Sequence, residues 1–250
     1  MIPQKLIDKG IYWSRALSLV EGCTPVSEAC KNCWLKAMHK RFNPDIPFEN
    51  VRIREDRLNI PLKTRKPQVF AIWSDLFWEQ VPFEFVDKVF ETIRNCPHHT
   101  FLILTKRAVR MNNYLFTRVI YTPSRWIKNL WVGITVENQE QADKLLKCCP
   151  FKLFLSIEPM LGPIDLRKYL ASAIGENYPY RPAFSQVICG SESGTNRRQT
   201  NIEWVANLVR QCNAVGVPIF IKQLLIDGKT SKDMNEWPVD LRRRDLVWRK

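Results

Sequence analysis

No apolar run approaches the ~18–20 residues that a membrane-spanning helix needs, and no membrane partner is expected of the 250-residue chain. The opening "MIPQKLIDKGIYW" lacks the apolar stretch and small-residue cleavage site of a signal peptide. The reading is therefore a cytoplasmic protein, and its eight cysteines are thiols or metal ligands, because disulfides are rare in that compartment. Short tandem repeats and low-complexity segments are missing too. Acidic residues are scarce: 25 Asp plus Glu face 38 Lys plus Arg, a formal charge of +13. Hydrophobic residues make up 45% of the chain, which argues against global disorder. The length suits one α/β barrel or two small domains.

The positive excess favours a polyanionic partner, since each neutralised phosphate releases counterions. The plainer reading is charge for solubility. Basic residues recur in "KAMHKRF" (36–42), "VRIREDRLNIPLKTRKP" (51–67) and "DLRRRDLVWRK" (240–250).

Beyond residue 67 short apolar runs alternate with amphipathic stretches. "QVFAIWS" (68–74), "TFLILTK" (100–106), "LWVGITV" (130–136), "KLFLSIE" (152–158), "SQVICGS" (185–191) and "VPIFIKQ" (217–223) read as buried strands. Between them, "PFEFVDKVFETIRN" (82–95) reads as a helix with Phe85, Val86, Val89, Phe90 and Ile93 on one face and Pro82 in its first turn. A helical stretch runs to about residue 118, and "NQEQADKLLKCC" (138–149) reads as a helix. Residues 200–216 predict a helix with a Thr200–Glu203 capping box and a Gly216 stop. Apolar strands separated by helices mean parallel pairing with both faces covered. With a seventh strand in "SRALSLV" (14–20), the count fits an incomplete, TIM-like (β/α)6–7 barrel better than a closed eightfold one. A doubly wound sheet is the alternative. Residues 1–224 read as this single barrel, with a basic, loop-rich insertion at 43–67 and a basic appendage at 225–250.

In parallel α/β folds chemistry sits at the carboxyl ends of the strands. Those ends carry Ser74, Asp75 and Glu79; Thr105, Lys106 and Arg107; Thr135, Glu137 and Asn138; Ser156 and Glu158; Ser191, Glu192 and Ser193; and Lys222 and Gln223. One polar strand end is an ordinary exit to solvent. A complete set, with Ser156, Glu158 and Lys222 inside the strand pattern, would be costly to bury without a ligand. The expectation is that they converge on one charged ligand beside the cysteine loop.

That loop, "EGCTPVSEACKNCWLKAMHKRF" (21–42), holds Cys23, Cys30 and Cys33 spaced C-x6-C-x2-C. Disulfides would strand one of them, and a closed zinc site wants four ligands. A Cys3His zinc site using His39 is one reading. A [4Fe–4S] cluster held by three cysteines, its fourth iron open to a small molecule, is another and is favoured by placement after the first strand. Buried thiols are the third. Cys96, Cys148, Cys149, Cys189 and Cys212 sit in apolar patterns that small buried hydrophobes explain.

A partial barrel with three cysteines after its first strand resembles the radical S-adenosylmethionine superfamily. Within it, "GCTPVSEACKNCW", "SDLFWEQVP", "FLILTKR", "LWVGITVENQ", "SIEPMLGPIDL", "ICGSESG" and "GVPIFIKQ" resemble a phage-associated three-Cys-motif family. The resemblance covers most of the chain. It implies a partial barrel of the radical S-adenosylmethionine type, a [4Fe–4S] cluster on Cys23, Cys30 and Cys33, and S-adenosylmethionine as cofactor, with an external electron donor. Two features depart from the superfamily pattern: the first cysteine gap holds six residues, not three, and "SDLFWE" stands where a Gly-Gly-Glu is usual. Ser74 and Asp75 would then hold the methionine amino group, with Lys106 on its carboxylate. Thr135, Glu137, Asn138, Ser156 and Glu158 complete the expected cofactor set, and Glu192 and Lys222 are assigned to substrate or proton transfer. Phage association and positive charge together imply a modified, thymine-derived base in DNA as substrate, radical isomerisation as the fitting reaction, and the host cytoplasm as location. Such a base must be flipped out of the duplex, and Trp73, Phe77, Trp78 and Trp131 are the candidate stacking surfaces, with core packing the expected role of Trp73 and Trp131. The rival reading is a zinc-stabilised nucleic-acid-binding module without catalysis.

Overall fold

Apolar runs of the chain become strands and its one-sided stretches become helices. The structure, a computed structural model, describes residues 2–120, 127–146, 153–170, 184–194 and 196–249. In chain order the elements are α1 (Gln4–Ile7), β1 (Arg15–Leu17), β2 (Val20–Glu21), α2 (Trp34–Phe42), β3 (Arg52–Ile53), α3 (Asn59–Lys63), β4 (Val69–Ile72), α4 (Phe83–Arg94) and β5 (Thr100–Thr105). They continue with α5 (Ala108–Leu115), β6 (Leu130–Thr135), α6 (Gln139–Leu145), β7 (Leu153–Ile157), α7 (Arg167–Leu170), β8 (Phe184–Cys189), α8 (Ile202–Ala214), β9 (Ile219–Ile221), β10 (Leu224–Ile226) and β11 (Lys229–Ser231). Seven strands form one sheet in the order β1-β4-β5-β6-β7-β8-β9. Every strand of that sheet neighbours the next in the chain. A doubly wound sheet reverses its order at a switch point, so the alternative topology is set aside; the unbroken order is consistent with a partial barrel.

Two compact units divide the chain, one of Trp13–Val132 and one of Ile2–Tyr12 with Gly133–Lys250. In the first, β1 pairs parallel with β4, Arg15 opposite Phe70, and β4 with β5, Val69 opposite Thr100. The expected 14–20 strand is broken: β2 leaves this sheet to pair antiparallel with β3, Val20 opposite Ile53. Helix α4 buries the anticipated face of Phe85, Val86, Val89, Phe90 and Ile93. Pro82 stands outside that helix as its N-cap, extended at φ −62° and ψ 144°. The 43–67 stretch is tied down by Glu21, whose carboxylate takes Arg52 at 3.0 Å, Arg54 at 2.9 Å and Arg57 at 2.7 Å. Much of its positive charge is thus spent within the unit.

In the second unit, β7 pairs parallel with β8 and β8 with β9. Gly133 of β6 lies against the Phe154 ring, where a Cβ would come within 2.4 Å of Cζ. Helix α8 is capped by Asn201, whose side chain accepts from the Glu203 amide at 2.9 Å. Thr200, the anticipated cap, instead donates to the Met160 carbonyl at 3.0 Å; adjacent Asn and Thr are both cap formers, and only tertiary contacts choose between them. Gly216 ends the helix in the left-handed region at φ +68°. Residues beyond 224 form the β10–β11 hairpin and bury Trp237, Leu241 and Trp248. Three apolar anchors thus fix a segment that is otherwise polar. Cys96, Cys189 and Cys212 are buried, and burial pushes the Cys212 thiol up to about 12; Cys148 and Cys149 lie outside the described residues. No helix among the described residues is long and apolar enough to cross a membrane.

Candidate functional site

The cysteine loop starts at a position only glycine can fill. Gly22 has φ +90°, and a Cβ there would lie 2.5 Å from the Phe48 carbonyl oxygen. The same carbonyl accepts the Cys23 amide at 3.1 Å, fixing the first cysteine. Cys30 ends the 3-10 turn Glu28–Cys30, and Cys33 is the N-cap of α2. All three are unbridged, half-buried thiols. Cys23 is pushed up to about 11 by burial and by the Asp75 carboxylate, against the opposing pull of Arg107. Charge on Cys30 raises it further, so these two sulfurs are electrostatic neighbours. A metal cation binding such a thiol displaces its proton, which couples metal binding to deprotonation. Among the described residues no three His, Cys, Asp or Glu side chains are gathered as a preformed metal site. His39 is buried, its Nε2 lies 2.9 Å from the Ile46 carbonyl, and its ring meets Phe48 edge-on at 5.3 Å. A metal-bound histidine commonly donates its other ring N–H to a carbonyl, so the Ile46 contact leaves Nδ1 as the nitrogen that a Cys3His site would use.

Asp75 and Arg107 occupy neighbouring strand ends and form a buried network. The Asp75 carboxylate accepts from the Thr105 hydroxyl at 2.6 Å, the Phe77 amide at 3.0 Å, the Lys106 amide at 3.3 Å and Arg107 Nη1 at 2.9 Å. Arg107 Nε bridges both Glu79 oxygens at 2.9 and 2.8 Å, and Nη2 donates to Thr24 Oγ1 at 2.8 Å and the Thr24 carbonyl at 3.1 Å. Trp78 Nε1 also donates to Thr24 Oγ1, at 2.9 Å. Finally, Arg107 Nη1 donates to Cys23 Sγ at 3.7 Å. Both Asp75 oxygens are therefore engaged by the chain. Ser74 precedes this knot in the left-handed region, φ +64°, an uncommon conformation for a non-glycine residue. Ser74 and Lys106 are half-buried.

The second unit gathers a different group. Glu158 Oε1 meets Lys222 Nζ at 3.1 Å, and Oε2 accepts from Ser156 Oγ at 3.2 Å and the Tyr12 hydroxyl at 3.4 Å. Burial and the Glu158 charge raise the Tyr12 phenol well above its ordinary range. Between the two strand ends Gly190 leaves space: a Cβ there would lie 3.3 Å from Glu158 Oε1 and 3.4 Å from Lys222 Cβ. Glu192 is joined instead to Arg198, whose amide and Nε donate to Oε2 at 2.8 and 2.9 Å. The structure thus brings Lys222 to Glu158 and leaves Glu192 in a separate pair. Ser191 Oγ accepts the Leu225 amide at 3.1 Å. Thr135 and Glu137 are buried. Asn138 caps α6, its Oδ1 accepting from the Gln141 amide at 3.0 Å.

Two aromatic candidates are core residues, Phe77 and Trp78. Trp73 is half-buried and meets Trp13 and Trp34 edge-on, with ring centroids 6.5 and 5.0 Å apart; Trp131 is half-buried. Trp34, directly after Cys33, is 47% exposed. Sequence reasoning passes over Trp34, Tyr12 and Arg198. Adjacency to a cysteine is the available signal for Trp34; Tyr12, 146 residues from its partner, carries none. Cations placed among the basic clusters divide likewise: Lys63, Arg65 and Lys66 are exposed, whereas Arg244 is buried. Arg244 lies 5.0 Å over the Trp237 ring and donates to the Lys232 carbonyl at 2.6 Å.

Residues 9–238 match a family model described as "Protein of unknown function (DUF5131)", and the chain belongs to that family. No curated protein and no solved structure matches it.

Proposed function

We propose that this member of the DUF5131 family is a radical S-adenosylmethionine enzyme, with Cys23, Cys30 and Cys33 as the three protein ligands of a [4Fe–4S] cluster. The observation carrying the reading is the loop itself: three unbridged, half-buried thiols in one stretch, the first fixed by its amide on the Phe48 carbonyl. Three thiolates with one position open fit a cluster that must also take a small molecule. The unbroken strand order supports an incomplete (β/α) barrel of the radical S-adenosylmethionine type. Such a cluster supplies one-electron reductive cleavage of the sulfonium carbon–sulfur bond, and with it hydrogen-atom abstraction.

The chain's residues have the tasks of holding and orienting. Asp75 and Arg107 anchor the cysteine loop to the ends of β4 and β5. Ser74 and Lys106 flank Asp75 and are assigned the amino and carboxylate groups of the cofactor's methionine. In the second unit, the Lys222–Glu158 ion pair beside two hydroxyls is assigned the return of a proton to the substrate. The substrate proposed is a thymine-derived base in DNA, with Trp34 and Trp73 as stacking surfaces and Lys63, Arg65 and Lys66 for phosphates. Isomerisation fits because it consumes no external oxidant.

Anaerobic purification tests the reading. The expected product is brown, with about four irons and matching labile sulfide per chain. Alanine at Cys23, Cys30 or Cys33 abolishes the iron, and Cys212→Ala leaves it. A colourless protein with stoichiometric zinc overturns the proposal in favour of a zinc-stabilised binding module.

A further inference from the structure

We propose that Arg107 is a positioning residue which raises the electron affinity of the iron–sulfur group held by the cysteine loop, through an N–H···S bond and a fixed positive charge at Cys23. The inference rests on the proposed cluster. A cluster's potential is set by net charge, hydrogen bonds to its sulfurs and exposure to solvent, and Arg107 acts on the first two. Its Nη1 donates to Cys23 Sγ at 3.7 Å. Its Nε and Nη2 are fastened to Glu79 and to Thr24, the neighbour of Cys23, so the guanidinium cannot swing away from the sulfur. The arginine side chain is 4% exposed, so salt and water screen its charge weakly.

Asp75 opposes this effect with a negative charge on the same Nη1, at 2.9 Å. Glu79 is 62% exposed and counts for less. The sulfur therefore meets the cation directly and the carboxylate behind it. Lysine carries the charge without the planar fork, and it cannot engage Glu79, Asp75, Thr24 and Cys23 together. With a cluster bound, an external one-electron carrier would supply its electron, and no bond would form or break at Arg107.

The test is an anaerobic potentiometric titration followed by electron paramagnetic resonance, with a reduced viologen as the donor. Arg107→Gln is expected to lower the midpoint potential clearly. Arg107→Lys should lower it less, and Asp75→Asn/Arg107→Gln should fall between wild type and Arg107→Gln. Because the single glutamine variant strands a buried carboxylate, a wild-type measurement stands beside it. In protein grown with 15N-guanidinium arginine, the reduced cluster is expected to show hyperfine coupling to that nitrogen. Wild-type protein with a full cluster but no 15N coupling overturns the inference and leaves the proposed function intact. So does an unchanged potential in Arg107→Gln at equal iron content. Wild-type protein without iron overturns both.

Discussion

Arg107 and Lys222 are both strand-end cations paired with a carboxylate, one in each unit, and they are held in opposite ways. Arg107 is fixed by side chains: two acids, a threonine and a cysteine surround its guanidinium, and the Arg107–Asp75 pair is 4% and 8% exposed. Lys222 is fixed through its backbone. Its amide donates to the Cys189 carbonyl at 2.8 Å, and its carbonyl lies where a Cβ on Gly10 would be, 2.1 Å away. Its ammonium meets Glu158 with 22% and 15% of the two side chains open to solvent. A charge locked by several side chains at full burial is a frame, whereas the part-exposed Lys222 ammonium stands where solvent reaches its pair.

The comparison breaks most sharply at the carboxylates. Asp75→Ala strands a buried guanidinium and is expected to cost about 3–5 kcal/mol. Glu158→Ala leaves an ammonium that water reaches but takes the acceptor from the buried Tyr12 and Ser156 hydroxyls, and should cost less, about 1–3 kcal/mol. Urea midpoints of both variants decide it, and equal losses would erase the distinction. A next, smaller effect tests the backbone half. Gly10→Ala combines left-handed strain with a clash on the Lys222 carbonyl and should cost about 2–4 kcal/mol. Gly216→Ala, at a similar φ of +68° with nothing within 4 Å of its Cβ, should cost only about 1–2 kcal/mol.

The smallest effect concerns exposed cations and the proposed DNA. Charge reversal at Lys63, Arg65 and Lys66 should flatten the salt dependence of binding by roughly one unit of log–log slope for each phosphate no longer neutralised. Reversing Arg242 and Arg243 should change it less, because Arg242 is already donating to the Trp237 and Asn235 carbonyls at 3.1 and 3.0 Å. A filter-binding titration at two salt concentrations reads both, and equal slopes would return these residues to solubility.

What could be read in the sequence was periodic and local. The seven sheet strands, the α4 face and the Gly216 stop follow from apolar runs, a 3.6-residue repeat and one conformational demand. What could not be read was the choice among distant partners. Asp75 and Lys106 look equally available at strand ends, yet Asp75 binds an arginine 32 residues away. Basic clustering suggested phosphates, while Glu21 gathers three of those arginines and Trp237 covers another. Charge counts carry no geometry, so composition cannot tell an arginine that meets a ligand from one that meets its own chain.

Residues 2–12 belong with the unit built from 133 onward, and the indole of Trp248 donates to the Tyr12 carbonyl at 3.1 Å. Synthesis runs in one direction, so that early segment leaves the ribosome well before the strands it will join. By then strands β1, β4 and β5 of the Trp13–Val132 unit have all been made. The phenol that faces Glu158 waits, and the second charge cluster is complete only once Lys222 has been delivered.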